Sequence, residues 1–334
     1  PETIPANLEY VGFANSSHAV EIRARVEGYL DNIAYKEGSF VREGDLLFEI
    51  DPKPYMAEVK NATGTLKKQE AVLGNAKITK ERLEPLFAEK AASKSDLDNA
   101  IAQELAAEAE VQSAQAKLRQ AQLNLGYTTI RSPISGLAGK AQYREGALVA
   151  PGSNSLLTTV SIVNPIWVYF NVSQNDVLKY SVEQSKGLII LPKDLTFEVE
   201  LILANGQTFP HKGKLNFADP TLDQSTGTLG IRAEFSNPDA VIIPGQFVRA
   251  RLIGAVRPNA IVVPQRAIIQ GKAGMYVYVV NDGKAAIQYV EAGDWYQDDW
   301  IIKSGLKAGE EVIVDGINKI QPGSEVNVKL IKPE

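Results

Sequence analysis

The chain of 334 residues has no cysteine, two histidines and two methionines. The first absence removes disulfides, thiol nucleophiles and thiolate metal sites together. His18, His211, Met56 and Met275 stand singly, without the spacing of a ligand motif, so no metal site is expected. Long apolar runs are also missing. Leu188 to Leu191 and Ala260 to Val263 fall far short of the ~20 residues that a membrane-crossing helix needs. A net charge of −5 offers no basic field, so nucleic acid is not an expected partner. The chain starts at Pro1 without a signal-like segment; the expectation is that any leader, lipidated cysteine or membrane anchor lies outside it.

A catalytic constellation is lacking too. Asp298 with Asp299, Glu310 with Glu311, and Asp219 with Asp223 are carboxylate pairs, but paired acids in turns are ordinarily solvated and no opposing group is evident. The glycines from Gly305 to Gly309 lack the lysine of a phosphate loop. The chain is expected not to be an enzyme and to carry no cofactor.

What the chain does contain is one stretch written twice. Ile22, Arg23, Gly28, Tyr35, Glu37, Gly38, Val41 and Gly44 recur without a gap, 108 positions on, as Ile130, Arg131, Gly136, Tyr143, Glu145, Gly146, Val149 and Gly152. Ordinary composition would supply roughly one or two such identities by chance. Both copies read as short apolar strands joined by glycine turns, because glycine takes positive φ without steric cost.

Between the copies the pattern becomes helical, beginning at Asp51-Pro52-Lys53-Pro54. Val59, Leu66 and Leu73 are seven apart, with Ala62, Ala76 and Leu83 on the companion position. On the return, Leu97, Val111, Leu118 and Leu125 share one heptad position, and Ala100, Ala107, Ala114 and Ala121 share the other. Gln69, Lys80 and Glu104 interrupt this seam. Two helices of ~30 residues, at ~1.5 Å each, predict an antiparallel arm of about 45 to 50 Å. The turn falls near Lys90 to Ser95, and either Ser93 (with Asp96) or Ser95 (with Asp98) fits a capping box for the second helix. Pro85 is expected to kink or loosen the end of the first.

After Val160 the chain is β-rich. Strands are expected at Trp167 to Val172, Phe197 to Leu203, Lys212 to Phe217, Ile231 to Phe235 and Phe247 to Ile253, with one helix from Asn175 to Gln184. Turns are expected at Asn205-Gly206, Asp219-Pro220 and Pro244-Gly245. A second β-domain follows, with strands at Ala260 to Val263, Tyr276 to Val280, Ala286 to Glu291, Trp300 to Lys303 and Glu311 to Asp315, and a hairpin turn at Asn281-Asp282-Gly283. Glu9 to Ala14 is strand-like and is expected to pair with one of these later sheets.

The half-modules around a coiled coil resemble the split lipoyl domain of periplasmic adaptors, or membrane fusion proteins, of tripartite efflux pumps, closest to the AcrA/MexA type. Val26-Glu27-Gly28, Lys36-Glu37-Gly38, Glu43-Gly44-Asp45, Asp51-Pro52-Lys53-Pro54-Tyr55 and Arg131-Ser132-Pro133-Ile134-Ser135-Gly136 carry the likeness. Asn164-Pro165-Ile166-Trp167-Val168, Asp219-Pro220-Thr221, Ser225-Thr226-Gly227-Thr228, Pro244-Gly245-Gln246-Phe247-Val248, Val263-Pro264 and Ser304-Gly305-Leu306 with Gly309 extend it over nearly the whole chain.

The resemblance implies an elongated, multidomain, mainly β fold with a long helical hairpin. Residues 19–53 plus 127–160 would form the split lipoyl (biotinyl-lipoyl-like) domain, 54–126 the hairpin, 161–255 a β-barrel, and 1–18 plus 256–334 a membrane-proximal β-domain. It also implies a place in the Gram-negative periplasm, attached to the inner membrane by an N-terminal anchor outside this chain. The implied partners are a proton-driven resistance-nodulation-division (RND) inner-membrane transporter, a TolC-like outer-membrane channel and further copies of the chain, six in the assembled pump. The family's tip signature, arginine, leucine four residues on and serine seven after that, falls on Arg82, Leu86 and Ser93. The implied role is to meet the helical ends of the channel, while a solvated charge, a seam residue and a helix cap are the plain structural readings of the three. An adaptor for an ABC-type macrolide exporter or a type I secretion system is the alternative function. A lipoyl or biotinyl carrier modified on Lys53 is a remote one, since Lys53 sits between two prolines rather than in a hairpin turn.

Overall fold

The computed structural model of the protein describes residues 2–153 and 155–331. The chain divides into two compact units, Ser16–Val163 and the combination of Pro1–Asn15 with Asn164–Glu334. Strands β1 (Glu2–Pro5) and β2 (Leu8–Arg23) open the chain, and residues 16–23 of β2 belong to the first of these units.

In that unit the first copy of the repeat supplies β3 (Gly28–Ile33), β4 (Phe40–Val41) and β5 (Leu46–Ile50). Helices α1 (Lys53–Ala88) and α2 (Lys94–Gly126) follow. The second copy supplies β6 (Thr129–Arg131), β7 (Gly136–Ala138), β8 (Leu148–Val149) and the start of β9 (Leu156–Ser173). Neither copy is a module alone, because its strands pair across the repeat: β3 with β8, β4 with β7 and β5 with β6. The pairing is two-fold symmetric in detail. Glu37 accepts from the Ala141 amide at 2.9 Å, and Glu145 accepts from the Ile33 amide, its counterpart 108 residues away, at 3.1 Å. One sheet runs β6-β5-β3-β8, and the other continues through β2, β9, β7 and β4. Between them lies a single core in which Leu47, Phe48, Val149, Leu157 and Val160 have no exposed surface.

The repeated glycines have two physical causes. Gly38 and Gly146 take φ 75° and 83°, and Gly44 and Gly152 take 87° and 107°, values that L residues with a Cβ rarely adopt. At Gly28 and Gly136 space decides instead: an added Cβ would lie 2.5 Å from Ile50 Cγ2 and 2.5 Å from the Ser161 carbonyl oxygen, respectively.

The second unit begins with residues 8–15 of β2, which pair antiparallel with a strand far along the chain. Helix α3 (Gln174–Ser185) follows β9, then β10 (Glu198–Ile202), β11 (Gly213–Asp223), β12 (Thr228–Phe235) and β13 (Phe247–Ile253). The order β12-β11-β10-β13-β2-β9 closes through pairing of β12 with β9, which makes a six-stranded barrel. Phe13 stands opposite Phe247, so 8–15 belong to the barrel, not with the C-terminal β-domain as the sequence-based boundary at 18 had it. Ile166, Val168, Val199, Leu201 and Ala250 fill its interior by strict alternation along the strands. The Asp219-Pro220 turn is also corrected. Both residues lie within β11, where the register shifts between Ala218 and Leu222 to accommodate a proline that cannot donate to the ladder. The chain reverses at Asp223–Gly227 instead, with Asp223 Oδ1 accepting from Ser225 and Gly227 at φ 65°.

The C-terminal part contains β14 (Val256–Pro264), β15 (Ile269–Gly271), β16 (Gly274–Asn281), β17 (Lys284–Tyr289), β18 (Glu291–Tyr296) and β19 (Asp299–Ser304). They form sheets β1-β14-β19-β18 and β15-β16-β17. The single strand expected at Ala286 to Glu291 is two strands in different sheets, with buried Val290 at the crossing. Glu311 to Asp315 does not form a strand either. It makes an isolated bridge, Val312 to Val279, and two backbone bonds to β16 without a continuous ladder.

An ion-pair cluster ties α3 to the C-terminal strands. Arg257 of β14 reaches Glu183 of α3 at 2.7 Å and Asp294 of β18 at 3.0 Å. Lys179 binds Asp294 at 2.9 Å, and Lys303 lies 3.3 Å from the other Glu183 oxygen. The side chains of Arg257 and Glu183 are each only 7% exposed. A pair buried to this depth is costly to break one-sidedly, because the remaining charge is stranded. Glu183→Ala is therefore expected to destabilise this unit by about 3–5 kcal/mol in urea unfolding, whereas Glu183→Leu with Arg257→Leu should lose far less.

Candidate partner-binding tip of the helical hairpin

The helices of the hairpin hold together through small side chains. Ala100, Ala107, Ala114 and Ala121 of α2 are buried, with Val111 beside them and Ala76 opposite on α1. Leucines 66, 73, 118 and 125 are half-buried along the same seam. Two of the polar interruptions answer each other: Lys80 Nζ lies 2.8 Å from Glu104 Oε2, and this hydrogen bond raises the Lys80 pKa. A pair of opposite charges bridging the seam near its end favours one register of α1 against α2.

Beyond that bridge the apolar seam gives way to the tip. Arg82 is exposed on α1, with no ion pair to any described residue. Leu86, one turn later on the same face, is 38% exposed. Pro85 does not end the helix, which continues to Ala88. The Pro85 carbonyl still accepts from Glu89 at 3.0 Å, and the Leu86 carbonyl accepts from Ala91 at 2.7 Å, which folds the turn back over the last helical turn. Lys90 takes φ 59° at the reversal.

Ser93, not Ser95, begins α2. Its Oγ accepts from the Asp96 amide at 3.2 Å, and Asp96 Oδ2 accepts from the Ser93 amide at 3.2 Å and from its hydroxyl at 2.6 Å. The Ser93 hydroxyl, then its amide, hold the Asp96 carboxyl below the usual carboxylate range. The tip thus brings Arg82 and Leu86 together on one helix and sets Ser93 across the turn from them. Phe87, 39% exposed beside Leu86, is an apolar tip residue that sequence reasoning missed. It fell outside the heptad positions, and that was the available signal.

The residues weighed for other chemistry occupy structural places. Lys53 is the first residue of α1, and its amide donates to Asp51 Oδ1 at 3.0 Å. Asp219 accepts from the Thr221 amide within β11, and Asp223 accepts from the Ser225 amide at the chain reversal. Glu310 accepts from Gln288 and from the Lys307 amide. Among the described residues no three His, Asp or Glu side chains are grouped to hold a metal ion, and no helix is long and apolar enough to cross a membrane.

Residues 18–161 match the barrel-sandwich hybrid domain of RND membrane fusion proteins, and residues 165–255 match their β-barrel domain. Residues 260–328 match the C-terminal permuted SH3-like domain of YknX. These matches define the class, a membrane fusion protein. The chain is 40% identical to the multidrug export protein AcrE of Escherichia coli K12, over 99% of this chain and 86% of that one. It is 36% identical to the efflux pump periplasmic linker BepD of Brucella suis biovar 1, over 98% and 83%. MacA from Actinobacillus actinomycetemcomitans shares the fold, with a TM-score of 0.69 at 23% identity over 94% of this chain and 97% of that one. The chain accordingly belongs to the RND membrane fusion protein family.

The cap gives a pH-dependent prediction. Because Asp96 has a lowered pKa when folded, the stabilisation it lends is full above its unfolded value of ~3.9 and disappears as pH falls through the folded value. Protection of the amides at the start of α2, taken relative to the intrinsic exchange rate at each pH, should fall over that acid window. Ser93→Ala should bring the Asp96 pKa back up and cost the hairpin about 1 kcal/mol, read by NMR titration and by thermal unfolding.

Proposed function

We propose that this chain is the periplasmic adaptor of a tripartite multidrug efflux pump, joining a proton-driven RND transporter of the inner membrane to an outer-membrane channel. The observation that carries this reading is the relationship to AcrE and BepD over almost the entire length of the chain. The names of those relatives, a multidrug export protein and an efflux pump periplasmic linker, support a periplasmic place and a non-enzymatic role. We take the channel to be TolC-like, the working assembly to be hexameric, and the inner-membrane attachment to come from an N-terminal anchor outside this chain.

The working parts follow the same reading. Segments 19–53 and 127–160 form the clamp, 54–126 the arm, 161–255 with 8–15 the barrel, and 256–334 with the first residues the membrane-proximal domain. Arg82, Leu86 and Ser93 make the contact with the channel: a free cation, an exposed apolar side chain and a cap with unused acceptor capacity. Phe87 widens the apolar part of that contact. A self-satisfied seam leaves the tip and the polar flanks as the surfaces through which the arm can bind.

A strain deleted for this gene and complemented with wild type or Arg82→Asp tests the reading through intracellular dye accumulation. The expected result is blocked efflux with an unchanged melting temperature, together with cross-linking of Ser93→Cys to an outer-membrane protein in the otherwise wild-type chain. Normal efflux by Arg82→Asp and no cross-link would remove the tip assignment.

A further inference from the structure

The seam of the hairpin holds a pair of charges where its own period calls for apolar side chains. In α1, Val59, Leu66 and Leu73 are followed at the same heptad position by Lys80, and in α2, Leu97, Val111, Leu118 and Leu125 share theirs with Glu104. Each helix gives up one large apolar side chain. The two departures meet, with Lys80 Nζ 2.8 Å from Glu104 Oε2 and the side chains only 30% and 17% exposed. A second acid, Glu84, stands one turn further along α1, but at 3.9 Å and half exposed it is the weaker partner. Apolar residues of similar volume generally hold such a place at least as firmly, so strength does not explain the pair. A polar contact within an apolar seam instead fixes how two helices meet, at some cost in stability.

What needs fixing at this height is rotation. The sheet holds both helices at their feet, but Lys80 lies about four heptads beyond the start of α1, and a straight helix drifts ~20° per heptad against a seam of period seven. Alanines resist that drift weakly, because a methyl group makes few contacts in the hole that receives it. A short contact between two charged side-chain ends, by contrast, is lost once either helix turns. Holding Lys80 towards α2 also decides what faces outwards: at about 100° per residue, Ile78, Arg82 and Leu86 stand about 160°, 200° and 240° around α1 from it. They form one stripe on the side away from the seam. Ile78 is 55% exposed, Leu86 is 38% exposed, and Arg82 is exposed between them. A turn of α1 would swing this stripe relative to Ser93, which its own cap ties to the start of α2.

We propose that Lys80 and Glu104 are positioning residues for channel binding: their bridge sets the rotational phase of α1, so that Arg82 and Leu86 are turned to the outer-membrane channel together with Ser93. Neither residue touches the channel in this arrangement. They act through the three that do. This inference rests on the tip contact proposed above and names what aims it.

Three forms of the full chain test this, each also carrying Glu84→Gln so that residue 80 meets one acid at most: the native pair, Lys80→Leu with Glu104→Leu, and the swapped pair Lys80→Glu with Glu104→Lys. In purified protein, nitroxide labels on Ile78→Cys and Leu105→Cys, both exposed positions in a chain with no other cysteine, report the phase as a distance distribution. One narrow distance is expected for the native and swapped pairs. The leucine pair should give a broad or shifted distribution with an equal or higher melting temperature. In the deletion strain, cross-linking of Ser93→Cys to the outer-membrane protein should fall about fivefold or more with the leucine pair and return with the swapped pair. A bridge that only held the arm together would instead lower the melting temperature along with the cross-link. That outcome would overturn the inference, as would leucine chains that keep either the native distance or the native cross-link, or a swapped pair that restores neither. If the native pair itself gives no Ser93→Cys cross-link, the tip contact falls and this inference with it.

Discussion

The pairing of two half-modules across 108 residues is the constraint on which the rest of this molecule depends. Glu49 pairs with Thr129, and the Ile50 amide donates to the Thr128 carbonyl at 2.8 Å. The strand that leads into α1 and the strand that follows α2 are therefore neighbours in one sheet. This fixes the feet of both helices before any contact along the arm is made. The fixation matters because the seam is built largely of alanines, which bury little apolar area each. Helices held by so thin a seam gain much of their persistence from anchored ends, since nucleating and aligning them freely is costly. Each repeated glycine serves the clamp: four make its turns and two allow close packing at its strands.

Along the arm, small side chains and one charge pair divide the work. Alanines permit close approach without much preference for register, and the Lys80–Glu104 bridge supplies that preference near the far end. Past the bridge the helices need nothing from each other except the turn. The tip closes its own polar groups through Ser93 and Asp96, so Arg82, Leu86 and Phe87 remain free to meet another molecule. In the other unit the same logic is carried by charge. Arg257 sits between Glu183 and Asp294, joining a barrel helix to two strands of the C-terminal sheet.

Much of this was legible in the sequence where local rules decide. Helices α1 and α2 follow from heptads, the capping pattern narrowed the start of α2 to Ser93 or Ser95, and Phe247–Ile253 is a strand as its alternation predicts. Reading failed where tertiary context overrode the local signal. Pro220 marks a turn by composition but is absorbed in a register shift of β11. Glu311 to Asp315 has strand-like residues but finds no continuous partner. Lys80 and Glu104 each looked like a defect of its own helix, because a one-dimensional pattern cannot show that two defects coincide. Residues 8–15 could be read as a strand but not assigned to the barrel, since their partner β13 lies more than two hundred residues away.

By itself the sequence determined the repeat, the length and phase of the hairpin, and the places where glycine is obligatory. These are consequences of period, of φ and of local capping, all of which act within a few residues. Only the tertiary structure decided which strands of the two copies pair, that Glu37 and Glu145 accept equivalent bonds across the shared core, and that β3 and β4 lie in different sheets. Those outcomes depend on which strand lies beside which, and strand pairing is set by burying a shared core over long chain separations.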